Sequence, residues 1–108
     1  MSNNYRFYAD LVGEVPAVAP DSIVSRTLYA DGQVKVILFG FAPGQELSEH
    51  TAAVPAILYF LTGRAKLTVD DDELEASPGA WLHMPARLPH SVLAETAVNM
   101  LLIMLPAQ

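Results

Sequence analysis

From Ser22 to the end of the chain, most apolar runs are cut short by Gly, Pro or Asp before they could become a stable helix. The runs are SIVSRTLY, VKVILFGF, VPAILYFL, RAKLTV, ELEA, WLHMP, HSVLAE and VNMLLIML. Most are rich in the β-branched and aromatic residues that suit a pleated, half-buried surface. The Asp31-Gly32 pair between the first two predicts a hairpin, and a second hairpin is expected at RAKLTV, DDD, ELEA. Short strands at this spacing predict an all-β sandwich or barrel. VPAILYFL (54–61) and VNMLLIML (98–105) are apolar on both faces, whereas a strand with one wet face alternates. A second surface must therefore cover them, and the expected cover is another copy of the chain, giving a homodimer.

The residues before Ser22 read differently. Residues 1–20 contain Pro16 and Pro20 and are expected to form an N-terminal arm with one helical turn at 9–12, leaving 21–108 as a single barrel domain. At 108 residues and 52% hydrophobic content, the chain can bury a core without staples. Cysteine is absent, so disulfides, thiolate metal sites and a cysteine nucleophile are excluded, and only His, Asp and Glu could ligate a metal. The opening MSNNYRFYAD has neither the basic start nor the apolar centre of a signal peptide, and no apolar run is long enough to cross a bilayer as a helix. A cytoplasmic location is expected. Six basic against twelve acidic side chains give a formal charge of −6, which disfavours nucleic acid and anionic membrane as partners.

Two stretches, APGQELSEHT and SPGAWLHMPARLPHSV, each turn at Pro-Gly and run on to a histidine. The first fits the spacing Gly, five residues, His, one, His, three, Glu, six, Gly at Gly44, His50, Ala52, Ala56 and Gly63. The second fits Gly, five, Pro, one, Gly, two, His, three, Asn at Gly79, Pro85, Arg87, His90 and Ala94. This pair of motifs resembles those of the cupin family, whose members are small jelly-roll β-barrels. The resemblance implies a cupin-like barrel in which two His and a Glu of the first motif and a His of the second surround a metal. Here only His50 and His90 match that ligand set; Ala52, Ala56 and Ala94 stand where His, Glu and Asn are expected. The metal site is degenerate. Enzyme metal sites usually take three or more protein ligands, so the resemblance leaves either no cofactor or a weakly bound divalent metal such as Zn, Fe, Mn or Ni. Glu46 would share a strand face with His50 if the strand between them were unbroken, which makes it a candidate replacement ligand.

In the phase set by Ala56, the inward side chains are Ala56, Leu58 and Phe60, with Tyr59 turned away. His50, His90, Ala52, Ala56, Leu58, Phe60 and Ala94 then line an apolar pocket suited to a small organic ligand. His83 reads as a histidine packed at the barrel wall or dimer contact. Arg87 replaces a glycine of the motif, and is either a solvated side chain or a cation at the barrel mouth for a carboxylate. The run 70–72 is a solvated hairpin tip. Three functions stay open: a small-molecule-binding protein anchored by the two histidines, a metal-dependent enzyme of dioxygenase or isomerase type, and a structural homodimer with a filled barrel.

Overall fold

A computed structural model of the protein describes residues 4–15 and 17–107; the first residues of the arm, Pro16 and Gln108 lie outside the described residues. After a short 3₁₀ turn at Val12–Glu14 come β1 (Ile23–Ala30), β2 (Lys35–Phe41), β3 (Glu46–His50), β4 (Ala56–Thr62) and β5 (Ala65–Val69). They are followed by β6 (Asp72–Ala76), β7 (Trp81–Met84), β8 (His90–Ala94) and β9 (Val98–Met104). The strands form two antiparallel sheets, β1-β2-β9-β4-β7 and β3-β8-β5-β6, as expected of a jelly-roll barrel. The helical turn expected at 9–12 forms three residues later, at Val12–Glu14.

Alternation along the strands fills the barrel. Ala56, Leu58 and Phe60 of β4, Ala65, Leu67 and Val69 of β5, Val92 and Ala94 of β8, and Val98 and Met100 of β9 are buried together with Phe41 and Met84. Tyr59 faces away from this set, as its phase requires.

The opposite face of the larger sheet is covered in part by the arm. Val15, with half-buried Tyr8, Leu11 and Val18, packs on Leu28, Leu38, Val24, Val36, Leu61 and Leu101. A bulge in β1 between Thr27 and Tyr29 leaves Leu28 out of register with β2, and its carbonyl accepts hydrogen bonds from the Tyr8 hydroxyl at 2.7 Å and Arg6 Nη1 at 3.0 Å. The lack of a side chain at Gly40 makes room, since a Cβ there would lie 2.8 Å from both Val15 and Val18. An ion pair of 2.9 Å between Arg26 and Glu14 closes the arm on β1. Thus Leu61 of β4 and Leu101 of β9 have a cover within the chain itself, whereas Ile57 and Tyr59 of β4 lie outside that cluster. Beyond the arm, Trp81 is 62% exposed, and it pairs across β7 and β4 with half-buried Tyr59.

The first hairpin turns over residues 31–34, with the Asp31 N–H donating to the Val34 carbonyl at 3.2 Å across Gly32 and Gln33. Asp31 Oδ1 accepts the N–H groups of Gln33 and Val34 at 2.8 Å each, and its Oδ2 accepts the Tyr29 hydroxyl at 2.6 Å. The Tyr29 hydrogen bond, with those two backbone donors, holds the Asp31 carboxyl below the usual carboxylate range. In the second hairpin only Asp70 and Asp71 make the turn; Asp72 pairs with Val69 as part of β6.

Candidate functional site

His50 ends β3 and His90 begins β8, and the two are direct partners in the antiparallel pairing of those strands. Direct partners share a sheet face, and the imidazole centroids lie 4.2 Å apart with the rings tilted by 58°. His90 is 8% exposed between His50 of β3 and Val69 of β5, whereas His50 is exposed at the rim. Each Nδ1 lies near a backbone carbonyl two residues earlier: His50 to Ser48 at 2.8 Å, His90 to Leu88 at 2.9 Å. A carbonyl oxygen only accepts, so each Nδ1 carries the proton and donates it. In the neutral rings both Nε2 atoms are therefore left as lone-pair acceptors. The same orienting bond occurs on metal-ligating histidines, where it fixes the ring and the tautomer.

The other candidate residues divide by their position along the strands. Ala56 is buried where β4 starts, at the barrel end that also carries His50 and His90. Ala52 is half-buried in the loop after β3, and its carbonyl accepts the Arg87 N–H at 2.7 Å, joining that loop to the one before His90. Ala94 lies four residues beyond His90 on β8, and Phe60 four beyond Ala56 on β4, about 13 Å toward the other end at strand rise. Leu58, Phe60 and Ala94 belong to the packed core. The motif thus brings His50, His90, Ala52 and Ala56 to one mouth, and sets Phe60 and Ala94 at the opposite end of the same interior.

Glu46 does not join the pair. Leu47 pairs with Val92 but His50 pairs with His90, so β3 spends three residues where β8 spends two, and the register shifts between them. That extra residue puts Leu47, not Glu46, on the inward face with His50. Glu46 is exposed and pairs with Leu93 at the start of the strand. Among the described residues no group of three or more His, Asp or Glu side chains is placed to hold a metal. Two imidazoles with methyl groups at the remaining motif positions do not fit a transition-metal centre of the usual three or more protein ligands.

His83 is exposed on β7, opposite Ile57, and has no side-chain hydrogen bond among the described residues, so within one chain it lies on the outside of the barrel wall. Its phase with Trp81 puts it on the outer face.

The motif glycines Gly44, Gly63 and Gly79 all have positive φ, at 83°, 81° and 96°, and Arg87, in the fourth glycine position, has φ 68°. Asp21 and Asp70 share that region, but their short polar side chains tolerate it and that of Arg does not. Arg87→Gly is therefore expected to stabilise the protein by about 0.5–1 kcal/mol, the relief of left-handed strain exceeding the entropy that glycine adds to the unfolded chain. Urea unfolding checks this: a midpoint at or below that of the parent protein would show that the Arg87 conformation carries no strain.

A family model described as the cupin domain matches residues 37–106, a span that holds both motifs and eight of the nine strands in whole or part. The chain belongs to the cupin family. This cupin is similar over its whole length to a conserved protein of unknown function from Streptococcus pyogenes, with 31% identity, 97% of that chain covered and a TM-score of 0.85. A cupin superfamily protein from Desulfitobacterium hafniense has 25% identity and a TM-score of 0.85, with 97% of this chain and 96% of that one covered. A variant of salicylate 1,2-dioxygenase from Pseudoaminobacter salicylatoxidans shares the fold at 13% identity and a TM-score of 0.72; 86% of this cupin covers 29% of that chain. No curated protein matches this cupin. Among its described residues no helix is long and apolar enough to cross a membrane.

Proposed function

We propose that this cupin binds a small, largely apolar organic molecule carrying a hydrogen-bond donor, at the barrel mouth formed by His50, His90, Ala52 and Ala56. The observation that carries the reading is the orientation of the two rings. Both Nδ1 atoms are engaged by backbone carbonyls, so when the rings are neutral each leaves its Nε2 as an acceptor; the ring centroids lie 4.2 Å apart, and His50 is at the exposed rim. A hydroxyl or N–H on a ligand is the complement of such a pair. Leu58 continues the apolar interior behind it, toward Phe60 and Ala94 at the far end. Any Zn, Fe, Mn or Ni is held weakly, because the pair lacks a third ligand, and a metal-dependent enzyme of dioxygenase or isomerase type would need one.

Titration with phenol, with anisole as the control lacking the O–H, tests the site. Phenol is expected to move the Nε2 resonances of His50 and His90 in nitrogen-detected spectra, and anisole is expected to leave them in place. Loss of the response in His90→Ala would follow. No shift of either ring at millimolar phenol would overturn the proposal and favour the ligand-free structural reading, to which the filled interior is also suited.

The reading includes a second copy of the chain as partner. The arm leaves Trp81, Tyr59 and Ile57 of the outer sheet uncovered, and adjacent apolar side chains on an open sheet face suit a two-fold contact. Sedimentation is expected to give a dimer for the parent protein and a monomer for Trp81→Glu. A monomeric parent at micromolar concentration would remove the partner from the proposal.

A further inference from the structure

β2 has a residue that the barrel does not explain. Along the strand, Phe39 and Phe41 pack into the interior while Val36 and Leu38 face the arm, so Lys35 stands in the inward phase, exposed where β2 begins at the end of the barrel. Its cross-strand partner is Met104, whose other partner is the buried Ala56. Inward-phase charges commonly protect exposed sheet edges from pairing with other chains. That account does not apply here, because β2 lies between β1 and β9. Nor is Lys35 neutralised: the ion pair among the described residues joins Arg26 and Glu14. Asp31, the acidic residue nearest in sequence, is engaged by Tyr29, Gln33 and Val34 within its own turn.

Lys35 instead forms part of the wall of a cleft of about 610 Å³ between the first hairpin, the loop after β3 and the C-terminal residues. The remaining wall is mainly Val34, Val54, Met104, Leu105 and Pro106. The tail is held in place by the Leu105 N–H, which donates to the Pro55 carbonyl at 2.9 Å. This volume is within the range of small-molecule sites, and its wall is mostly apolar, with Gln33 and one cation, Lys35, as its polar side chains. The cleft lies at the same barrel end as the paired histidines but does not include them.

We infer that this cleft is a second binding site, for a small apolar carboxylate whose chain lies on Val54, Met104 and Leu105 and whose anionic end meets the Lys35 ammonium. An uncharged apolar molecule would use the walls alone and ignore Lys35. An anion without an apolar body would gain only a solvated surface contact.

Octanoate and 1-octanol, titrated separately and followed by amide and methyl resonances, test this. Octanoate is expected to move Val34, Val54 and Met104 signals, and Lys35→Gln to weaken it about fivefold or more while leaving 1-octanol unchanged and Lys35→Arg near the parent affinity. Val54→Trp, checked for folding by its thermal melt, is expected to abolish both. Three results overturn the inference: binding of octanoate indifferent to Lys35→Gln, shifts confined to other parts of the surface, or no binding at millimolar concentration. The phenol response of His50 and His90 should persist in Lys35→Gln, so failure of either site leaves the other standing.

Discussion

Gly63→Ala is expected to cost about 4 kcal/mol and to lower the melting temperature by about 15 °C or more, a large share of the roughly 5–15 kcal/mol that holds a domain of this size together. Two effects add. Gly63 has φ 81°, where an L-residue costs about 1–2 kcal/mol. A Cβ at Gly63 would also lie 1.9 Å from the Ala97 carbonyl oxygen and 2.9 Å from both its carbon and Thr96 Oγ1. The carbonyl is backbone and cannot swing away as a side chain could. Moving it means moving the 95–97 turn, whose Glu95 and Thr96 N–H groups donate to the Arg64 carbonyl at 2.9 and 3.3 Å, while Thr96 Oγ1 accepts the Arg64 N–H at 2.9 Å. Overpacking of this kind adds about 1–3 kcal/mol. Gly44→Ala supplies the comparison, because φ there is 83° but nothing lies within 4 Å of the added Cβ. It is expected to cost only the conformational part, about 1–2 kcal/mol. Calorimetric melts of the two variants separate the contributions, and equal losses would show that the contact with Ala97 is relieved at no cost.

That contrast also marks how far spacing carries. The motif places glycines at 44, 63 and 79, and all three have positive φ. The sequence cannot distinguish Gly63, which another turn approaches closely, from Gly44, which faces open space, because the approach is made by residues 34 positions away. The strands were legible for a different reason: alternation in AILYF assigns Ala56, Leu58 and Phe60 to one face without any knowledge of their neighbours. The meeting of His50 and His90 was legible through the resemblance, since each follows a Pro-Gly turn at a fixed distance.

What escaped depends on register. One extra residue in β3 between Leu47 and His50 reverses the face of everything before it, which removes Glu46 from the site, and no local residue pattern announces the bulge. The cover of the larger sheet escaped for a related reason. Tyr8, Leu11, Val15 and Val18 lie at irregular spacing in an arm without strand or helix periodicity, so their common contact with Leu28 and Leu38 emerges only from the fold. Lys35 was likewise silent as a single charge in an apolar strand, and it acquires meaning only beside Met104 and the tail.

Phe60→Ala is expected to cost about 3–5 kcal/mol and to leave a dry apolar cavity inside the barrel. Phe60 has no exposed surface and is paired with Met100, itself 1% exposed, within the one core cluster that includes Phe41, Met84 and Val98. Its removal takes contacts from the core, and neighbours fixed on β2, β7 and β9 can collapse only in part. Benzene is therefore expected to raise the melting temperature of Phe60→Ala and not that of the parent protein, because a ligand held only by the native state stabilises it by mass action. The phenol response at His50 and His90 should survive in the variant, since Phe60 lies four residues along β4 from the mouth position Ala56. The opposite result has its own meaning: a loss below about 1 kcal/mol with no effect of benzene would place Phe60 against an open space already present in the native barrel. The apolar pocket would then extend through the interior from the histidines to Ala94, and the site would be a deep chamber, with the mouth only its entrance.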